Sequence, residues 1–354
     1  MQHSILVTGG AGFIGSNFIP YFMNKYPEYK VINLDKLTYA ADINNLNEVK
    51  DNPDYVFVKG DICNRELLKY LFESFDIKGV INFAAESHVD NSIIEPEIFI
   101  KTNILGTFTL LDVAKNYWKN SPFTYRENYE NCRFHHISTD EVYGSLDETG
   151  LFTENTSYAP NSPYSSSKAS SDHIVRSYFH TYGLNVVTTN CSNNFGPKQH
   201  PEKLIPTIIR KALSFKPIPI YGDGKNVRDW LYVLDHCKGI DLVYHSGKSG
   251  DTYNIGGRNE RQNIYIAVTI CELLDELAPE FKAGLQIKSY KELISFVSDR
   301  PGHDRRYAVD ATKIETDLGW KAEENFESGI RKTILFYLNK YMEDGLNEIQ
   351  TVKS

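Results

Sequence analysis

Short apolar runs recur through the first two-thirds of the chain, at Ile5–Thr8, Val31–Leu34, Tyr55–Val58, Val80–Ala84, Phe134–Ser138 and Asn185–Thr189. Between them the apolar positions fall at helical spacing, over Phe13–Lys25, Arg65–Phe75, Phe99–Trp118 and Tyr164–Tyr182. Parallel strands need a crossover, and a helix is the usual one, so the alternation predicts an α/β fold. Its expected form is a doubly wound parallel sheet with helices on both faces. Ligands of such sheets bind beyond the carboxyl ends of the strands, which is where chemistry is sought below.

After Asn190 the rhythm breaks at Pro197, Pro201, Pro206, Pro217 and Pro219, and helical spacing returns over Leu234–His245, Ile264–Leu277 and Phe326–Tyr341. The division expected is a nucleotide-binding domain over residues 1–190, with segments near 228–258 returning to it. Residues 191–342 then form mainly a smaller C-terminal α/β substrate-binding domain, and residues 343–354 a frayed tail. The stretch Asn116–Asn131 has no period and reads as a surface loop.

Composition narrows this picture. A chain of 354 residues with 41% apolar content can bury its own core, which excludes a disordered or fibrous protein. A net charge of −8 argues against nucleic acid as partner, though a few local cations still suffice for a small phosphorylated ligand. Cys63, Cys132, Cys191, Cys237 and Cys271 make no Cys-x-x-Cys pair, so neither a metal site nor a disulfide framework is expected. With no signal-peptide pattern and no apolar run near the ~18 residues of a membrane span, the expectation is a cytoplasmic protein away from membranes.

Three groups of residues carry chemistry. The first is the spacing Gly9-x-x-Gly12-x-x-Gly15 between the first strand and the first helix, with Phe13 and Ile14 inside it. Glycines there permit a tight turn, backbone approach to a pyrophosphate and close helix packing, as in Rossmann-type dinucleotide sites. Asp35 ends the second strand, where a carboxylate accepts from a ribose hydroxyl and repels a 2′-phosphate; NAD is therefore expected over NADP. Asp61 and Ile62, after the third strand, are placed to meet the adenine edge.

The second group is Tyr164 and Lys168, one helical turn apart. An ammonium beside a phenol favours the phenolate, so the pair is expected to act as a general base of lowered pKa. The third is Thr139-Asp140-Glu141, following a strand end. Hydride transfer alone has no use for two adjacent carboxyl groups. A dehydration needs one as acid and one as base, and close carboxyl groups push their pKa values apart.

Together with Asp35-Lys36-Leu37-Thr38-Tyr39-Ala40, Ala84-Ala85-Glu86-Ser87-His88-Val89-Asp90, Arg228-Asp229-Trp230 and Asp299-Arg300-Pro301-Gly302-His303-Asp304, these motifs resemble the dTDP-glucose 4,6-dehydratase family. That family lies in the NAD-dependent epimerase/dehydratase branch of the extended short-chain dehydrogenase/reductase superfamily. The likeness runs from about residue 4 to 340, departing at Ala41-Asp42 and in the 116–131 loop. It implies tightly bound NAD, recycled in each turnover, and a homodimer through a four-helix bundle of Phe99–Trp118 and Tyr164–Tyr182. It implies catalysis by Thr139, Asp140, Glu141, Tyr164 and Lys168. For NAD it adds Lys36, Leu37, Thr38, Ala84, Ala85, Glu86, Ser87, Thr102 and Asn194. For the nucleotide sugar it implies His88, Thr139, Asn193, Lys203, Leu204, Pro219, Ile220, Tyr221, Arg228, Asn263, Asp299, Arg300 and His303.

Alternatives remain in the sequence. The same chemistry on UDP-glucose differs by one methyl on the base, worth only about 1–3 kcal/mol in a pocket. A nucleotide-sugar 4-epimerase shares the fold and the Tyr-Lys pair but leaves Asp140 and Glu141 unused. A GDP-mannose dehydratase is expected to favour NADP, against Asp35, and a non-catalytic NAD-binding protein has no need of the acidic pair.

Overall fold

The computed structural model describes residues 3–282, 287–299 and 301–343. Its main sheet has seven parallel strands: β1 (His3–Thr8), β2 (Tyr29–Asp35), β3 (Tyr55–Lys59), β4 (Ile77–Asn82), β5 (Arg133–Thr139), β6 (Val186–Cys191) and β7 (Thr252–Ile255), in the order β7-β6-β5-β4-β1-β2-β3. The strand order reverses between β1 and β4, the switch point at which such sheets open a crevice.

Both faces of the sheet are covered, which is why its strands read as continuous apolar runs. Leu6, Ile32, Val80, Phe134 and Val186 pack one way, against α2 (Arg65–Phe75), α3 (Thr107–Trp118) and α4 (Pro163–Tyr182). Ile5, Val7, Val31 and Ile81 pack the other way, against α1 (Phe13–Lys25) and α5 (Val233–Ser246). A third apolar core gathers Phe195, Ile205, Ile209, Ile220, Trp230, Ile270 and Phe326 from later in the chain.

Four features depart from the sequence expectation. The predicted helix 99–118 is π-helical over Ile100–Gly106 before α3 begins. The 116–131 stretch carries a short antiparallel hairpin, Lys119–Ser121 with Thr124–Tyr125, because the buried Lys119 stem brings its amine 3.6 Å from the Tyr125 ring centroid. Strand β4 stops at Asn82, so Phe83 and Ala84 have already left the sheet. The short β7 is half polar, and its buried Asn254 is held by hydrogen bonds rather than by apolar packing. Of the frayed tail expected at 343–354, residues 344–354 lie outside the described residues.

The start of α4 is fixed by its sequence. Ser162 caps it, the Ser165 side chain completes a capping box, and Pro163 occupies the first turn. Gly183 ends it with φ +63°. Tyr164 and Lys168 are thereby set in the first and second turns. Among the described residues no helix is long and apolar enough to cross a membrane.

Candidate active site

Residues just beyond the carboxyl ends of β1, β2, β3, β4, β5 and β6 line one cleft of ≈ 310 Å³. Each strand contributes: Gly9, Asp35, Asp61, Ala84, Thr139 and Asn193 all face it.

At one end lies the glycine turn. Gly9 has φ +70°, and a Cβ there would sit 2.7 Å from the Ala84 nitrogen. A Cβ on Gly15 would lie 2.6 Å from the Gly9 carbonyl oxygen. Gly12 is different: its Cβ would meet only that same oxygen, at 3.3 Å, so the face toward the cleft is open. Gly12 also precedes the first turn of α1, which no side chain caps. Open backbone and uncapped N–H groups together fit a pyrophosphate. Gly12→Ala is therefore expected to fold with little loss of stability but to bind NAD at least about tenfold more weakly, read as NAD content after purification.

Asp35 lines the cleft while accepting from the backbone N–H groups of Ala11 (2.9 Å) and Leu37 (2.8 Å). Burial pushes its carboxyl up, and those N–H groups pull it back. Lys36 pairs with Asp61 at 2.9 Å. Phe13, Ile14, Thr38, Ile62, Ala85, Glu86, Ser87, Thr102 and Asn194 also line the cleft. Leu37 does not; at φ +55° its side chain turns onto the core beside α1. Ala41 lines the cleft and Asp42 caps a short turn through the Asn44 N–H, so the departure at that dipeptide leaves an ordered wall.

At the other end β5 delivers Thr139, whose hydroxyl accepts from the Glu141 N–H and donates to Asp140 Oδ1, both at 3.3 Å. Asp140 is only 2% exposed, and its Oδ2 has no hydrogen-bond partner among the described residues. Burial, then Glu141 and Asp229, hold its carboxyl well above the usual range, beside the half-buried Glu141.

Lys168 donates to the Ile137 carbonyl at 2.8 Å. The expected lowering of the Tyr164 pKa by Lys168 is opposed by burial. Burial, then Glu141 and Cys191, raise the phenol well above its ordinary value, and the Thr139 hydroxyl pulls the other way. The phenol lies in a desolvated pocket facing carboxyl groups, and the nearby cation is directed at a backbone carbonyl.

The remaining residues are dispersed. Asn193 and Lys203 line the cleft, and Lys203 reaches the Ser87 carbonyl at 3.1 Å. Arg228 is buried; its guanidinium donates to the carbonyls of Val227 and Asp304, each at 2.8 Å, and lies 4.2 Å from the Tyr307 ring centroid. Asn263 has a buried side-chain oxygen with no hydrogen-bond partner among the described residues. Asp299 pairs with His303 at 2.6 Å, beside the Tyr221 ring. Ile220 is 1% exposed within the third core, and Leu204 packs against the same core. His88 caps the Val89–Ile94 helix through Nδ1, and neither it nor the half-buried Pro219 lines the cleft. Arg300 lies outside the described residues.

Sequence reasoning missed a strap across the mouth of the cleft. Gln199, His200 and Glu202 line it, Glu202 accepts from the Tyr39 hydroxyl at 3.3 Å, and Asn91 donates to that hydroxyl at 3.1 Å. It also missed Asn103, which bonds both backbone groups of Glu86 and the Ser167 hydroxyl, fixing the loop after β4 to α4. The prolines of the strap were legible; its contacts join segments more than 100 residues apart.

A family model described as GDP-mannose 4,6 dehydratase matches residues 6–333. A dTDP-glucose 4,6-dehydratase of Neisseria meningitidis serogroup B is 56% identical over 339 residues, covering 96% of this chain and 94% of its own. The chain belongs to the dTDP-glucose 4,6-dehydratase family. The family's solved structures carry the same fold: the enzyme of Bacillus anthracis, in complex with NAD, is 46% identical with a TM-score of 0.83 over 96% of this chain and 98% of its own. That of Streptomyces venezuelae, also solved with NAD bound, is 41% identical with the same score and coverage.

Proposed function

We propose that this chain, like the relatives it matches, converts dTDP-glucose to dTDP-4-keto-6-deoxyglucose and water, with NAD as its resident cofactor. The observation that carries the reading is the buried Asp140 beside Glu141 in the cleft that also holds Tyr164 and Lys168. The glycine turn would hold the pyrophosphate and Asp35 a ribose. Bound there, NAD supplies a hydride acceptor for C4 of the sugar and a hydride donor for C6.

Tyr164, with Thr139, takes the proton of the 4-hydroxyl. The 4-keto group acidifies the C5 hydrogen, and Glu141 removes it as a proton. Asp140 protonates the departing 6-hydroxyl, which leaves as water, and Glu141 returns its proton to C5. The division follows from pKa: the carboxyl kept neutral is the acid, its neighbour the base. Residues from 191 onward, with Asn193, Lys203, Arg228 and Asn263, form the sugar-nucleotide half of the site.

The test is incubation of the purified protein with dTDP-glucose or UDP-glucose, without added NAD, followed by mass spectrometry. Loss of water, faster with dTDP-glucose, is the expected result. An isomerised sugar of unchanged mass would replace the reading with a 4-epimerase.

The homodimer belongs to the same proposal. Ile94 is 83% exposed, and Ile93, Ile100, Leu105 and Phe108 are exposed along the same segment, which packs against α4. An apolar stripe of this kind is usually an interface. Leu105→Glu is expected to shift the protein from dimer to monomer in sedimentation. The five unpaired thiols support a cytoplasmic setting.

A further inference from the structure

Lys168 is 4% exposed, and its hydrogen-bond acceptor, the Ile137 carbonyl, is neutral. A buried ammonium needs a counter-charge or it gives up its proton. One helical turn further along α4 lies Asp172, itself 5% exposed and unused by the mechanism above. Its Oδ2 accepts from the Ser138 hydroxyl at 2.8 Å and the Tyr158 hydroxyl at 3.0 Å, and its Oδ1 lies 3.3 Å from His136 Nε2. Behind it, Asn190 of β6 donates to Tyr158 and Tyr143, and Tyr143 donates to Asn254 of β7. Three consecutive residues of β5 thus act together: Ile137 takes the lysine, Ser138 holds the carboxylate, and Thr139 enters the site.

We propose that Asp172 is a positioning residue for catalysis: anchored to the sheet through Ser138 and Tyr158, its carboxylate keeps Lys168 an ammonium behind Tyr164. The groups facing the pair leave the negative charge to Asp172. His136 of β5 is neutral at working pH, burial lowering it to about 4. Burial also raises the Cys191 thiol of β6 and the Tyr158 phenol above their ordinary values. Burial lowers the Lys168 pKa, and Asp172 is the first group to oppose it.

The kinetic arm of the test rests on the dehydratase reading, and a second arm does not. In Asp172→Asn, NAD content and KM for dTDP-glucose stay near wild type. Its kcat at about pH 8 falls about tenfold, as the alkaline limb of the profile moves about one unit to lower pH. Asp172→Glu, which keeps the charge, restores the limb. In parallel, lysine labelled with carbon-13 at Cε reports the Lys168 titration directly in the NAD-loaded protein, assigned by its loss in Lys168→Arg. It is expected to shift the same way in Asp172→Asn.

Superimposable titrations in wild type and Asp172→Asn overturn the proposal. So does a wild-type Lys168 already neutral at about pH 7, a measurement that needs no variant to fold. A fall in kcat with an unmoved limb reduces Asp172 to a packing role and overturns it equally. Should the wild type not dehydrate dTDP-glucose, the functional reading fails while the lysine titration still judges Asp172.

Discussion

Tyr164→Phe is expected to purify as a folded, NAD-loaded protein whose turnover of dTDP-glucose is lower by about 10²–10⁴-fold, the range for losing a positioned acid–base group. The ring stays. Tyr164 is 8% exposed and packs edge-on to Phe99, a contact of the ring rather than of the hydroxyl. What goes is the acceptor for the 4-hydroxyl proton, which the first chemical step needs. The variant should therefore show no reduced nicotinamide by absorbance when substrate is added. Appearance of that absorbance at the wild-type rate would assign the proton to another group.

Asp140→Asn trades activity for stability. Its dehydration rate is expected to drop by about 10²–10⁴-fold, because an amide cannot protonate the departing 6-hydroxyl. Oxidation at C4 uses Tyr164, so reduced nicotinamide should accumulate in this variant, unlike in Tyr164→Phe. The stability effect follows from linkage. Burial and then Glu141 raise the folded-state pKa of Asp140 above its unfolded value. Its stabilising contribution is then complete below the unfolded pKa and declines as pH rises toward the folded one. Asn carries no such dependence. The variant should melt above wild type at neutral pH, with the advantage shrinking toward about pH 4. An equal difference at all pH values would mean that Asp140 is ionised in the folded protein.

Most of the sheet was legible because its strands are buried on both faces, so runs such as Ile5-Leu6-Val7 announce themselves without needing partners. The cofactor end was legible for a related reason: Gly9 and Gly15 answer steric demands set within a few residues. That the Leu37 and Ile220 side chains pack on apolar cores was not legible, because adjacency to a motif says nothing about the side of the backbone a side chain takes. The burial that opposes Lys168 at Tyr164 was not legible for a physical reason as well. Helical spacing shows that Lys168 is near, whereas the desolvation that outweighs it depends on packing from β5 and β6. The strap through Tyr39, Asn91 and Glu202 is a meeting of three distant segments, with no local pattern to mark it.

Because the cleft is assembled from the ends of six strands, spanning Gly9 to Lys203, no stretch of nascent chain contains it. The glycine turn proposed for the pyrophosphate is made early in synthesis, while the last residues lining the cleft arrive nearly 200 positions later. Cofactor capture is thus a property of the completed fold, and a ligand that binds only that fold draws unfolded molecules toward it by mass action. In the proposed reading the dinucleotide is in this sense a late structural element, and its retention reports that the six strands bordering the cleft have found their places.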